Sequence, residues 1–331
     1  MIDTDKVSEV YREKLIDREH HAIRFTNFLN TEQETDFAVP PNCLGFGRIH
    51  HFKRRTRSGW LDNPLPIDPA TNKLNMAKCD EIEAEVFQTA ACNWRCWYCY
   101  VPFNLLSADP HHSEFLPIAR LLDLFMSEAR RPRVIDLSGG QPDLTPELVP
   151  WVLEELATRH LDQDYYVWSD DNLSNDFYWR YLSNKDREIV AASKNYGRVC
   201  CFKGFDESSF AFNTSADPAL FARQFELIGR LLRSGIDIYC YVTFTSPPAP
   251  SIERRVSDFV DRLQELSERL PLRTIPLEVR DFTPLHRRMN SQRKAAMVDQ
   301  WAALEAWKNE LVRRFSGDEL RGPIQDVSLR G

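Results

Sequence analysis

The sequence has no long apolar run and little glycine. No stretch of about 18 or more uncharged apolar residues occurs, so no transmembrane helix is predicted. The first segment, MIDTDKVSEVYREKLIDREHH, is charged and lacks the apolar core of a secretory signal peptide. We therefore expect a cytoplasmic protein whose cysteines stay reduced or bind metal. Glycine contributes 12 of 331 residues, so two adjacent glycines would need a local structural reason.

The charge balance is mildly acidic. A formal net charge of −7 disfavours general nucleic-acid binding. Apolar residues make up 43% and charged residues 27% of the chain, which is typical of a globular protein with one or two domains. The basic run HFKRRTRSGW at 51–60 departs from this balance. It is either a solvated loop or a contact for an anionic group.

From about residue 83, short apolar strands alternate with longer amphipathic helices. Strands are predicted at 83–90, 133–140, 165–171, 198–204, 236–244 and 275–282, and helices at 115–131, 145–160, 174–186, 217–234, 251–270 and 289–315. This alternation predicts an α/β fold with parallel strands and right-handed crossovers. Six units are too few for a closed eight-fold barrel, which leaves an open partial barrel or a doubly wound sheet. In either case the chemistry is expected at the carboxyl ends of the strands.

The first 80 residues follow a different pattern. One helix is predicted near 4–32, followed by irregular segments rich in Pro and Asn. We therefore divide the chain into an N-terminal extension at 1–80, a strand–helix domain at 81–288, and a C-terminal helix and tail at 289–331. The extension is expected to cover a substrate or bind a partner.

Three of the eight cysteines fall within ACNWRCWYCYVP at 91–102. Cys92, Cys96 and Cys99 have the spacing C-x3-C-x2-C, directly after the first predicted strand. A structural zinc site needs four protein ligands, and no fourth Cys or His lies at a matching local spacing. Three thiolates can instead hold a [4Fe–4S] cluster with one iron left open to another molecule.

This triplet resembles the C-x3-C-x-aromatic-C signature of radical S-adenosylmethionine (SAM) enzymes, with Tyr98 at the aromatic position. The resemblance implies a partial (β/α)6 TIM-like barrel in which Cys92, Cys96 and Cys99 hold the cluster and the open iron binds SAM. It also implies reductive cleavage of SAM to a 5′-deoxyadenosyl radical that abstracts hydrogen from a substrate. A reductant such as flavodoxin or ferredoxin would supply the electron, and Tyr98 would lie beside the adenine.

A second motif follows the next predicted strand in VIDLSGGQPDL. Gly139, Gly140, Gln141 and Pro142 resemble the G-G-E-P segment that binds the SAM amino group in that family. Gln141 replaces the usual glutamate, so it keeps an acceptor oxygen but lacks the charge. The alternative interpretation is an ordinary strand-to-helix turn.

The third predicted strand ends in WSDDNLS. Ser169, Asp170, Asp171 and Asn172 are candidates for binding the SAM ribose hydroxyls, because carboxylates and amides suit a cis-diol. Helix N-capping is the alternative.

The fourth predicted strand ends in VCCFKGFDE, which resembles the D-L-K-G-F strand end of the enzymes that activate glycyl-radical proteins. Lys203 matches the lysine and would bind the SAM carboxylate or an anionic substrate group, while Cys201 replaces the aspartate. Cys200 and Cys201 should face opposite sides of the sheet. Near the end of the sixth predicted strand, Arg280 is a candidate for binding an anionic substrate group. Both Lys203 and Arg280 could instead be surface residues.

The sequence therefore favours a radical SAM enzyme acting on an unidentified small molecule or peptide. One alternative is an activating enzyme that makes a glycyl radical in a partner protein. An alternative of another class is a non-catalytic binding module stabilised by zinc or by a cluster.

Overall fold

The alternating segments form an α/β structure built on one large sheet. The computed structural model describes residues 2–35 and 39–329; residues 36–38 of the predicted extension and 330–331 of the predicted tail lie outside it. The strands are β1 Ile16–Asp17, β2 Ala22–Thr26, β3 Gly47–Lys53, β4 Glu81–Phe87, β5 Ser113–Pro117, β6 Val134–Leu137, β7 Tyr166–Asp171, β8 Tyr196–Phe202, β9 Ile238–Thr243 and β10 Thr274–Leu277. The α-helices are α1 Thr4–Leu15, α2 Ile67–Lys73, α3 Ile118–Ser127, α4 Leu148–Thr158, α5 Phe177–Tyr181, α6 Asn184–Ala192, α7 Glu207–Thr214, α8 Leu220–Leu231, α9 Ile252–Leu266, α10 Thr283–His286, α11 Ser291–Arg314 and α12 Gly317–Arg321.

The large sheet has seven strands in the order β10-β9-β8-β7-β6-β4-β3. Six of these strands are parallel and adjacent in chain order: β4, β6, β7, β8, β9 and β10. The seventh, β3, pairs antiparallel with β4. A doubly wound sheet needs a reversal of strand order. The described parallel strands show none, which is consistent with a partial barrel. Each of the six predicted strands overlaps one of these parallel strands.

The two faces of the sheet are covered differently. On one face, residues such as Val167 and Cys200 pack with the helices, including Phe259 of α9 and Trp307 of α11. We call this the helix side. Alternate residues, among them Trp168, Val199, Cys201, Tyr239 and Tyr241, form a cluster on the opposite face, which we call the inner face. The predicted opposite orientation of Cys200 and Cys201 is thus confirmed.

The prediction for the N-terminal region was wrong in two respects. The helix predicted near 4–32 ends at Leu15, because Ile16 turns to extended backbone. The chain then forms β1 and β2, and β2 pairs antiparallel with β5 in a separate three-stranded sheet. The segment expected to be irregular also supplies β3, which is hydrogen-bonded along the full length of β4.

The later helices agree better with the predictions. The helix predicted at 174–186 is divided into α5 and α6, because Ser183 begins a new helix with a capping box to Asp186. The long C-terminal helix begins after Asn290, whose side chain accepts a hydrogen bond from the backbone of Arg293. Across the described residues, no helix combines the length and apolar character needed to cross a bilayer.

Candidate metal and cofactor site

The loop that carries the three cysteines follows β4 and is fixed by the first helix. Asn93 is fully buried and its amide donates to the hydroxyls of Ser8 (2.8 Å) and Ser174 (2.7 Å). The indole nitrogen of Trp94 donates to the hydroxyl of Thr4 at 3.0 Å. Arg95 holds the other side of the loop, donating to the carbonyl of Cys92 and, at 3.2 Å, to that of Leu106. The loop therefore has a fixed path set by residues from distant parts of the chain.

The three thiols lie close enough to influence one another. Burial raises the pKa of Cys96 to about 12; nearby Lys203 opposes this effect, and Cys92 and Cys99 add to it. Burial also raises the pKa of Cys99, although a hydrogen bond from the backbone of Val101 opposes the rise. Cys96 is buried, whereas Cys92 and Cys99 are half-buried. Such thiols become thiolates when a bound metal replaces their protons.

The eight cysteines are all free, so none is used in a disulfide. Within residues 2–35 and 39–329, no three His, Cys, Asp or Glu side chains are gathered as ligands of one metal ion. This finding applies to Cys92, Cys96 and Cys99 as well, so it does not distinguish a zinc site from an iron–sulfur cluster. The donor chemistry does fit an iron–sulfur cluster, which is held by cysteine thiolates and tuned by hydrogen bonds to its sulfurs.

The glycine pair packs directly against the cysteine loop. Gly139 and Gly140 both have left-handed backbone, with φ of 73° and 69°. A Cβ at Gly140 would lie 2.2 Å from the carbonyl oxygen of Thr89 and 2.6 Å from that of Ala91. Next to them, the backbone N–H of Gln141 donates to the carbonyl of Ala91 at 2.7 Å. The pair is thus required by close contact with the loop, whatever else binds there.

Gln141 links the ends of two parallel strands. Its side chain is 1% exposed; the amide donates to Asp171 Oδ1 and its oxygen accepts from the backbone of Asn172, both at 3.0 Å. A glutamate in this position would place its carboxylate against that of Asp171. The neutral amide can donate and accept at once, which explains why glutamine stands here. Pro142 follows and begins a buried turn, Pro142–Leu144.

Three of the residues predicted to contact ribose are bonded to protein groups, Ser169 and Asp171 on the helix side and Asn172 at the cysteine loop. The hydroxyls of Ser169 and Tyr196 lie 2.8 Å apart. Asp171 accepts from the backbone of Leu173 at 2.8 Å. The amide of Asn172 donates to Asn93 Oδ1 at 3.0 Å, which ties the third strand end to the cysteine loop.

Asp170 has a different environment, because alternation along β7 directs it to the inner face beside Asp136 and Lys203. Burial raises the pKa of Asp170 to about 6, and the charge of Lys203 opposes that rise. Asp136 is 2% exposed and accepts from the hydroxyl of Ser138 at 3.0 Å. Its other oxygen, Oδ1, has no hydrogen-bond partner among the described residues. The positive charge of Arg48, on β3, opposes the rise in the pKa of both carboxylates. We call Arg48, Asp136, Asp170 and Lys203 the inner polar group.

Lys203 lies half-buried just beyond β8, close to the cysteine loop. Burial would lower its pKa, but neighbouring acidic groups, which include Cys201 and the carboxylate of Asp170, outweigh burial and hold that pKa above its ordinary value, so the ammonium stays charged. Tyr98 is positioned by Thr243 of β9, whose hydroxyl donates to the Tyr98 oxygen at 3.1 Å. The fold thus brings together Cys96, Tyr98 and Lys203 at the carboxyl end of the sheet.

Sequence reasoning missed Asp136, Arg48 and Arg288. Asp136 shares the inward register of Asp170, so counting alternate residues along the predicted strand would have found it. Arg48 lies on the strand that was not predicted. Arg288, from the basic run HRRMNSQRK, donates to the carbonyls of Cys99 (2.7 Å) and Val101 (2.9 Å). Arg280, which was predicted, is exposed in the loop after β10.

The basic run at 51–60 is paired with carboxylates of the same chain. Arg54 forms ion pairs with Asp68 and Asp80. Arg57 lies 3.4 Å from the buried carboxylate of Glu278. These three ion pairs tie the run to other segments of the chain, which gives it a structural role.

Comparison with protein-family models finds no match, and comparison with curated proteins finds none either. Among solved structures, the chain is similar to SuiB of Streptococcus suis bound to S-adenosylmethionine, with 16% identity and a TM-score of 0.38 over 55% of this chain and 37% of that one. It is also similar to SuiB bound to precursor peptide SuiA, with 15% identity and a TM-score of 0.38 over 59% and 39%. The alignments span less than two fifths of those chains. Similarity at these TM-scores supports no conclusion about the fold or the function of this protein, so the proposal below rests on its own residues.

Proposed function

We propose that this protein is a radical SAM enzyme acting on a small molecule or peptide. The observation that carries the proposal is the placement of the Cys92–Cys96–Cys99 loop at the carboxyl end of a parallel sheet, against Gly139–Gly140 and beside Lys203. A C-x3-C-x-aromatic-C loop, a glycine-rich second strand end and a lysine on the fourth strand end are separate in sequence. Their meeting at one place supports a shared function.

The three cysteines would hold a [4Fe–4S] cluster. When bound, such a cluster supplies one electron for the reductive cleavage of SAM. Tyr98 would lie against the adenine, and its hydrogen bond from Thr243 fixes the phenol in place. Lys203, which remains protonated, would bind the SAM carboxylate or an anionic substrate group.

The ribose contacts are better assigned to Asp170 than to its neighbours. Ser169 and Asp171 already bond to protein groups on the helix side, whereas Asp170 lies on the inner face with the rest of the inner polar group. Asn172 would act on the cysteine loop through Asn93. Gln141 would hold the ends of β6 and β7 together. Gly139, Gly140 and Pro142 would form the backbone surface against which the cofactor binds.

The alternative function as an activating enzyme for a glycyl-radical protein depends on the strand end at Lys203. Cys201 takes the place of the aspartate there, and burial raises the pKa of its thiol to about 12. A neutral thiol cannot supply the carboxylate of that motif. We therefore favour an enzyme with a different substrate, and we propose that Arg280 contacts an anionic part of it.

The test is anaerobic reconstitution followed by iron, sulfide and zinc analysis, and by assay of SAM cleavage with dithionite. The parent protein should be brown, bind iron and sulfide, and release 5′-deoxyadenosine. The triple variant Cys92→Ala/Cys96→Ala/Cys99→Ala should lose both iron and cleavage.

Cys43→Ala/Cys240→Ala is the matched control, because these two cysteines are also buried but lie outside the loop. It should keep both properties. A colourless parent containing zinc would favour the non-catalytic binding module, and iron retained by the triple variant would refute the assignment.

A further inference from the structure

A basic and aromatic surface lies over the cysteine loop. It comprises Phe103, Phe282, Arg287, Arg288 and, farther along the same segment, Lys294, and we call it the basic face. Between Arg280 and Lys294 the sequence has five Arg or Lys and one Asp, a local charge of +4 with His neutral, in a chain whose net charge is −7. We propose that this face binds an acidic protein that donates single electrons to the site; the inference rests on the function proposed above.

The contact with the cysteine loop gives the face its position. The guanidinium of Arg288 donates to the carbonyl of Cys99 at 2.7 Å and lies over the ring of Phe103, 3.6 Å from its centroid. Phe282 is 40% exposed and meets Tyr100 edge-on, with ring centroids 6.3 Å apart. A partner seated on Arg288 and Phe282 would therefore be separated from Cys99 by a single layer of residues.

The composition of the face is that of a protein-binding surface. Interfaces are enriched in Arg and in aromatic residues, which combine charge with apolar area. Here the side chain of Arg287 is 84% exposed, and its ion pair among the described residues is the one with Glu32 at 3.1 Å, which is exposed as well. Such a pair contributes little, so Arg287 can turn to a partner at small cost.

The charge of the face selects an acidic partner. A positive region on an otherwise acidic chain attracts an acidic protein and orients it during approach, while the rest of the surface repels it. An anionic peptide substrate would also be attracted, so the experiment must separate the two occupants.

The experiment reverses two charges of the face in Arg287→Glu/Lys294→Glu. Both side chains are exposed, and neither is assigned to the cofactor or substrate. The matched control is Arg254→Glu/Lys185→Glu, because Arg254 and Lys185 are 84% and 78% exposed on α9 and α6. Formation of 5′-deoxyadenosine is measured with reduced flavodoxin, an acidic protein, and separately with dithionite, at low and high salt.

With flavodoxin at low salt, the Arg287→Glu/Lys294→Glu rate should fall at least about ten-fold, and added salt should narrow the difference. With dithionite, both variants should match the parent. An unchanged flavodoxin rate would overturn the proposal. So would an equal loss with dithionite, since that outcome indicates a structural role for the two side chains. A parent that cleaves no SAM with dithionite refutes the enzyme function itself, independently of the face.

Discussion

The polar groups at the carboxyl end of the sheet differ between its two sides. On the helix side, Ser169, Asp171 and Arg198 are nearly inaccessible to solvent. Ser169 and Arg198 both bond to the hydroxyl of Tyr196, at 2.8 and 3.0 Å, while Nη2 of Arg198 has no hydrogen-bond partner among the described residues. On the inner face, Asp170 and Lys203 are half-buried, and a buried oxygen of Asp136 lacks a partner among the described residues. Both sides contain a buried polar atom without a partner, so they differ in solvent access and not in hydrogen bonding. Polar groups that solvent reaches can also meet a ligand, so we expect a structural role for the helix side and a functional role for the inner face.

The largest expected effect is on stability and comes from Arg198. This residue is fully buried, lies 2.9 Å from Asp143 and 3.6 Å from Asp171, and has the ring of Tyr178 beside it. Arg198→Met would leave two buried carboxylates without their cation, so unfolding in urea should show a loss of about 3–5 kcal/mol. Lys203→Met is the inner-face control and should change the free energy of unfolding by less than about 1 kcal/mol. Equal losses would remove the distinction between the two sides.

One further buried carboxylate on the helix side, that of Glu85, has a raised pKa. Glu85 is fully buried, and burial raises its pKa to about 7 even though the amide of Asn42 donates to it at 2.8 Å. Because the folded pKa is raised, the stabilising contribution is fully present below about pH 4.5 and is lost as pH rises through about 7.

The shift corresponds to at most about 3 kcal/mol. Glu85→Gln should therefore be more stable than the parent at pH 8 and should match it near pH 4.5, as measured by urea unfolding at the two pH values. A difference that did not change with pH would show that Glu85 is not protonated in the folded protein.

A substitution at Gly140 tests whether the glycine pair is needed for close packing against the cysteine loop. A Cβ would meet the carbonyl oxygens of Thr89 and Ala91, and left-handed backbone adds strain of about 1–2 kcal/mol. Gly140→Ala should therefore lower both iron loading and stability, by about 2–3 kcal/mol in total. Gly59→Ala is matched for backbone, with φ of 84°, but its Cβ would lie 3.5 Å from Trp301, so it should show the strain alone. Weaker SAM binding with normal iron loading would instead place the cofactor against Gly140.

The smallest expected effect concerns Lys203. If its ammonium pairs with the SAM carboxylate, Lys203→Met removes a charge-assisted hydrogen bond of roughly 1.5–3 kcal/mol. The SAM concentration for half-maximal cleavage with dithionite should then rise about ten- to a hundred-fold. If cleavage is unchanged and only product formation falls, Lys203 contacts the substrate. No change in either would leave the lysine without a functional role.

The sequence predicted the parts of the molecule that depend on local pattern. The alternation of Cys200 and Cys201 and the apolar period of α11 follow from side-chain geometry along one strand or helix. The strand β3 was missed because its side chains lie at the sheet edge and lack a clear alternation. Its partner β4 is remote in sequence, so pairing and not propensity determines it.

The candidate site shows the same division. Cys92, Cys96 and Cys99 could be proposed as ligands because their spacing is local. The choice between Asp170 and Asp171 requires knowledge of which side each faces, and the match of Gln141 to Asp171 requires two strands to be adjacent. Such relations depend on tertiary contacts between strands, so the sequence of one strand end does not reveal them.

The bonds between the first helix and the cysteine loop have a consequence for the order of folding. Asn93 is held by Ser8 and by Ser174, which are 85 and 81 residues away. Contacts between such remote residues form late, because long segments of chain must first be brought together. During synthesis the loop would therefore stay open until the third parallel strand has emerged, and this interval is when iron and sulfide would have freest access to its thiols.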